Sequence, residues 1–237
     1  MERKFLLEKK NISEDLVALI KRKILDGELN PGDRIVEMKL AREFGISQSP
    51  VRESIRHLSG EGIITIVPNK GPVVNKLEAR DISEVYSLRS SLEGLAIHLT
   101  TQHATDVEIR ELADFYDNMG AKLNDESVPS LLKDSLFLHQ SIIRLSNHSR
   151  LIKVYESISF QIELVNRILG MATTKQKEYD DHRELIEALL KRDPVHAEQV
   201  MRKHIYRSYT ECMEVLHRNE TSVKDRLQSM WQNEDFM

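Results

Sequence analysis

Only one short stretch of this chain carries the pattern of a sheet. Ile63-Ile64-Thr65-Ile66-Val67 is a β-rich run, and after Pro68-Asn69-Lys70-Gly71-Pro72 a shorter one follows at Val73-Val74. Before and after it, apolar residues recur at three- and four-residue steps, the period of a buried helical face. A chain of 237 residues is also long for one compact core, since domains usually run to about 100–150 residues. The pattern predicts a mainly α protein. We assign three helices and a hairpin to residues 1–76, an all-α helical bundle to residues 77–218, and a polar tail to residues 219–237.

The first region can be read element by element. Ile12, Leu16, Leu19, Ile20 and Ile24 define a helix over Ile12–Leu25 that Gly27 ends. Asn30-Pro31-Gly32-Asp33 is a turn cluster, and Glu37 to Phe44 is a short helix stopped by Gly45. A third helix starts near Ser47 or Ser49, either of which can cap free backbone N–H groups, with Pro50 in its first turn. Val51, Ile55 and Leu58 form its apolar side; Gln48, Arg52 and Arg56 stand opposite, so the helix presents a cationic face outward. Gly60-Glu61-Gly62 breaks it before the hairpin. Three short helices, a tight turn before the third and a basic-tipped hairpin make a winged helix-turn-helix, in which the third helix enters the DNA major groove.

Charge agrees with this division. Residues 1–75 carry 13 Lys and Arg against 11 Asp and Glu, a balance of +2, and the remainder carries 21 against 27, a balance of −6. The first region can therefore meet a phosphate backbone although the whole chain is at −4. Cys212, the single cysteine, excludes both an intramolecular disulfide and a thiolate zinc site. Met1-Glu2-Arg3-Lys4 is followed only by the short apolar run Phe5-Leu6-Leu7, which does not make a secretory signal. No apolar run approaches the roughly 18–20 residues that cross a bilayer. The expectation is a cytoplasmic protein without a membrane partner.

The stretches Ile24-Leu25-Asp26-Gly27, Pro31 to Ile35, Leu40 to Ser47, Pro50-Val51-Arg52-Glu53 and Asn69-Lys70-Gly71 closely resemble the N-terminal domain of GntR-family transcription regulators. The resemblance covers roughly residues 10–76. It implies DNA contacts from the start of the recognition helix and the wing tip, here Ser47, Gln48, Ser49, Arg52, Asn69, Lys70 and Gly71. Many relatives have arginine where Gln48 stands. Glutamine suits the N6/N7 edge of adenine and arginine the O6/N7 edge of guanine, so the preferred operator is expected to differ.

Helical patterns dominate from about Asp81 to His217, with breaks at Gln102–Thr105, Asn124–Pro129, Asn147–Ser149, Gly170–Thr174 and Arg192–Pro194, giving about six helices. Nine histidines are many for this length, but no His-Glu-x-x-His pair occurs. Three stand on candidate helices: His139, His182 and His204. Here Leu88 to Glu93, Phe137-Leu138-His139 up to His148, Asp181 to Ile186 and Met201 to His204 resemble the FCD ligand-binding domain of the FadR subfamily, over roughly residues 80–217. That resemblance implies a divalent metal, held by three histidines and an aspartate. The histidines correspond to His139, His182 and His204, while Ser135 occupies the aspartate's position. Asp134 is adjacent but stands about 140° round the helix from His139, where an i−4 residue would stand about 40° away. Asp134 could reach only with a local distortion, so the expectation is either a three-histidine site completed by water or effector or a weakened site that metal visits only at high concentration, with zinc the favoured ion and nickel or manganese compatible.

Arg89 and Glu93, four apart, form either an intrahelical ion pair worth a few tenths of a kcal/mol or, with Arg89 turned inward, a basic group for an acidic effector. The functional expectation is a DNA-binding regulator, a repressor by the commoner family outcome. It would act as a homodimer on an inverted repeat and respond to a carboxylate metabolite. A metal-dependent enzyme would need a general base near the histidines, and none is evident. A protein-interaction module would select no operator.

Overall fold

The computed structural model describes residues 12–170 and 173–232, with side chains as far as residue 218. The start Met1–Leu7 and the end of the predicted tail, Asn233–Met237, lie outside the described residues. The chain divides between Leu77 and Glu78 into two compact units.

The first unit contains α1 (Ile12–Leu25), α2 (Glu37–Glu43), α3 (Gln48–Gly60), β1 (Ile64–Val67) and β2 (Gly71–Val74). Leu16, Val17, Ile20 and Ile24 of α1 are buried, as are Val51, Ile55 and Leu58 of α3, and the two helices pack together. A polar contact locks the crossing: buried Ser54 Oγ donates to the Ser13 carbonyl at 2.8 Å. Gly27 and Gly45, with φ of 78° and 63°, adopt the left-handed conformation that closes α1 and α2 at no side-chain cost.

In the antiparallel hairpin Ile64 faces Val74 and Val67 faces Gly71, leaving Pro68, Asn69 and Lys70 as the turn. Strand pairing thus reaches further into the Pro-Gly cluster than the β-rich runs indicate. Pro72 is tolerated because its carbonyl, rather than a missing N–H, is used: it accepts from Ile35 N at 2.9 Å. Arg34 bridges to Val73, and Val74 N donates to the Asp33 carbonyl at 3.0 Å. The segment after the first turn cluster therefore lies along the free edge of β2. Two residues are too short to show any period, so this pairing had no signal in the sequence.

The second unit is a bundle of α4 (Ala79–His103), α5 (Asp106–Ala121), α6 (Leu132–Leu145), α7 (Ser149–Ser157), α8 (Ser159–Leu169), α9 (Lys175–Leu190) and α10 (Pro194–Gln232). The seventh helix arises from a break at Ile158, a residue at φ −109° and ψ 4° that ends α7 and begins α8. No glycine or proline marks it. Instead Ser157 Oγ donates to the Val154 carbonyl at 2.6 Å and Ser159 Oγ to the Glu156 carbonyl at 2.8 Å, bonds by which serine competes with helical backbone pairing. The starts of α5 and α10 follow standard capping. Thr105 and Glu108 form a reciprocal box on α5, and Asp193 Oδ1 accepts from His196 N at 3.0 Å ahead of α10.

One correction concerns the predicted polar tail: α10 continues as helical backbone to Gln232. Residues 219–232 are polar but contain neither glycine nor proline, and polarity by itself does not oppose a helix. No described helix is long and apolar enough to cross a membrane. α4 packs along α10 and α6, and the interior they enclose includes a polar layer of Arg89, Glu93, Ser135, His139, Glu178, His182 and His204, all buried.

Candidate metal centre and DNA-binding face

His139 sits on the buried face of α6 with Ser135, Leu138 and Ile142, and His182 on that of α9 with Glu178, Leu185 and Ile186. His204 lies on α10 between the buried Met201 and Ile205. Each histidine thus replaces one residue in an apolar stripe, and the stripes converge. The ligand nitrogens of the three all lie within 4.8 Å of one another. His139 Nε2 is 3.2 Å from His182 Nε2 and 3.3 Å from His204 Nε2.

The outward nitrogens decide what these contacts are. His139 Nδ1 is 2.5 Å from Glu93 Oε2, and His182 Nδ1 is 2.6 Å from the Glu178 carbonyl. His182 Nδ1 faces a carbonyl acceptor and so carries that ring's proton, leaving its Nε2 with a lone pair aimed at His139. Burial drives His182 down to about 3, with the neighbouring His139 and Arg89 adding to the shift. Burial, then His182 and His139, likewise push His204 well below its ordinary value. Burial thus keeps His182 and His204 as neutral nitrogen donors, the form in which an imidazole binds a metal. Bonds of about 2.0–2.1 Å to a tetrahedral metal put neighbouring nitrogens roughly 3.3 Å apart, which the two separations from His139 match. The histidine cluster is compatible with a metal site.

Around it the other predicted residues separate. Arg89 and Glu93 are not the surface pair that their spacing suggests: they are 3% and 1% exposed, with Arg89 Nε donating to Glu93 Oε1 at 2.8 Å. Burial opposes the charge on Glu93, but Arg89 and His139 hold its carboxyl well below the usual range. Arg89 Nη1 also donates to Asn166 Oδ1 at 3.2 Å. A relay from α8 through α4 thereby orients His139. Asp134 is turned away from the cluster onto Lys122 Nζ, at 2.6 Å, as its angular position requires. Ser135 faces the cluster's cavity, where Arg89, Glu178 and all three histidines are also found. Glu93, Asn166 and Glu178 were missed from the sequence. The spacing of Glu93 from Arg89 and of Glu178 from His182, four residues each, was the available signal.

On the first unit, Ser47, one of the two expected capping residues, is the N-cap residue of α3, but its side chain makes no capping bond. Ser47, Ser49 and Arg52 are exposed and Gln48 half-buried. Arg52 Nε donates to Glu37 Oε2 at 2.7 Å, and its Nη2 to Gln48 Oε1 at 3.1 Å. Glu37, on α2, thus steadies the Arg52 and Gln48 pair; its distance in sequence concealed this. At the hairpin tip Asn69 and Gly71 have φ of 61° and 85°, which turns the chain sharply and leaves Lys70 exposed.

Comparison with known proteins agrees with these two units. Residues 12–74 match the family described as "Bacterial regulatory proteins, gntR family", and residues 84–207 match the FCD domain. The Nta operon transcriptional regulator of Aminobacter aminovorans is 30% identical over 199 residues, covering 83% of this chain and 92% of that protein. The gluconate operon transcriptional repressor of Bacillus licheniformis is 22% identical, covering 92% and 86%. Among solved structures, E. coli McbR/YncC shares the fold at a TM-score of 0.68 and 19% identity, covering 86% and 97%. Winged helix-turn-helix and helical bundle together define a transcription regulator rather than an enzyme. The chain belongs to the gntR family of bacterial regulatory proteins, in the branch that carries an FCD domain.

Proposed function

We propose that this protein is a cytoplasmic repressor whose operator affinity is set by a small carboxylate bound at a metal in the helical bundle. Convergence of three buried imidazoles on one point, beside Arg89, is the observation that carries this reading. His139, His182 and His204 would hold the ion, with zinc favoured by neutral nitrogen donors in a tetrahedral spacing and nickel or manganese as alternatives. The metal supplies Lewis acidity toward an oxygen donor. Arg89, committed to Glu93 and Asn166 through two of its N–H groups, retains donors for the effector's carboxylate. A relative named for a gluconate operon is in keeping with an acidic effector.

The cavity beside the histidines leaves about 20 Å³ of free space, enough for about one water molecule and too little for a metabolite. Effector entry therefore requires the helices that supply the ligands to move apart. Binding that favours one bundle arrangement over another is what regulation requires, and a coupling of about 1–3 kcal/mol changes operator affinity roughly 5–150-fold.

Operator reading is assigned to Ser47, Gln48, Ser49 and Arg52 on α3 and to Asn69, Lys70 and Gly71 at the wing. A recognition helix of 13 residues supplies few base contacts, so a homodimer on an inverted repeat is needed for specificity. Selection from random duplex DNA tests the reading: a palindromic motif is expected. Recovery of no motif, or of a single half-site bound by a monomer, contradicts it.

A further inference from the structure

Two positions stand in the same relation to two of the histidines. Ser135 is four residues before His139 on α6, and Glu178 is four before His182 on α9, so each shares its histidine's helix face. Both are buried, and they meet: Ser135 Oγ donates to Glu178 Oε2 at 2.6 Å. The other oxygen, Oε1, accepts from Thr173 Oγ1 at 2.9 Å. Among the described residues this carboxylate has two hydroxyl donors and no ion-pair partner. Its neighbours differ in this respect. Glu93 is neutralised by Arg89, and Asp134 by Lys122. A buried carboxylate without a cation is costly, and this one lines the cavity of the three histidines.

We propose that Glu178 supplies the anionic oxygen ligand of the three-histidine site, the carboxylate and hydroxyl having exchanged helices between α9 and α6. This rests on the metal reading above. The histidine nitrogens form the group within 4.8 Å, and Glu178 joins it by side-chain rotation that gives up the Ser135 hydrogen bond while Thr173 retains the other oxygen. Three neutral imidazoles and one carboxylate leave a divalent ion with a single net positive charge, which a monoanionic effector neutralises. Ser135, too short to ligate as Asp would, becomes the hydroxyl that holds Glu178 when the metal is absent.

Zinc affinity of the full-length protein, measured by competition with a chromophoric chelator, tests this, with the visible spectrum of the cobalt(II) form as a direct report on coordination. Glu178→Gln keeps the side chain's size and hydrogen bonding but removes its charge. It should weaken zinc binding roughly 10–100-fold or more and alter the cobalt spectrum. The exchange variant Ser135→Asp with Glu178→Ser retains one buried carboxylate and one hydroxyl, and should bind within a few-fold of the starting protein; it also decides the matter if Glu178→Gln does not fold. Unchanged affinity and spectrum in Glu178→Gln, or loss of zinc by a folded exchange variant, overturns the Glu178 assignment and leaves the histidine site standing. Failure of the unaltered protein to bind zinc or cobalt overturns the metal reading and this inference together.

Discussion

The outward face of α3 and the polar layer inside the bundle are both built from polar residues at helical spacing, yet they obey different physics. On α3, Arg52 and Arg56 are exposed, and the bonds of Arg52 to Glu37 and to Gln48 lie at the surface. Water can replace each bond there, so side chains can be exchanged with little effect on folding. Within the bundle, Arg89, Glu93, His139, His182 and Glu178 meet one another and the side chains of Asn166, Ser135 and Thr173. Desolvation makes every partner obligatory, and the loss of one strands the next. Base-reading residues can therefore diverge while the fold persists, whereas the bundle layer must change by compensated pairs. The hydroxyl at Ser135 opposite the carboxylate at Glu178 has the form of such a pair.

Substitutions should separate the regions by magnitude. Glu93→Ala strands the buried Arg89 guanidinium and frees the His139 ring, and should cost about 3–5 kcal/mol in denaturant unfolding. A cost near that of an exposed ion pair, under about 1 kcal/mol, would erase the contrast drawn above. Removing metal from the unaltered protein comes next. With free zinc at about 1,000 times Kd the ion stabilises the fold by about 4 kcal/mol, so a chelator should lower the melting temperature of the full chain and leave His182→Ala unmoved.

Arg52→Ala should cost about 1–3 kcal/mol in specific operator affinity while leaving the melting temperature within experimental scatter. Equal losses on specific and random DNA would reduce Arg52 to a phosphate contact. Gln48→Arg should shift preference at one base position toward guanine, readable by repeating the selection, with little change in affinity for random sequence. Smallest of all, Lys70→Ala should reduce the salt slope of binding by about 1. No change in slope would remove the wing tip from the phosphate contacts.

What could be read in advance follows from the same contrast. The two faces of α3 lie within one helix, so Val51, Ile55 and Leu58 on one side and Gln48, Arg52 on the other declare themselves by period alone. Pro194 behind Asp193 marks the start of α10 equally locally. The break at Ile158 and the edge pairing of Arg34 depend on hydrogen bonds that leave no compositional trace. Burial of Arg89 and Glu93 runs against the usual exposure of charge, and their mutual ion pair together with His139 and Asn166, brought from other helices, accounts for it. The contact between Ser135 and Glu178 spans 43 residues and forms only when α6 and α9 pack.

Metal content of the full-length protein purified without chelators, measured beside His182→Ala, tests the bundle's role most directly. One divalent ion per chain is expected in the former and close to none in the latter. Equal content in the two, or none in the unaltered protein, would contradict a metal held by His139, His182 and His204.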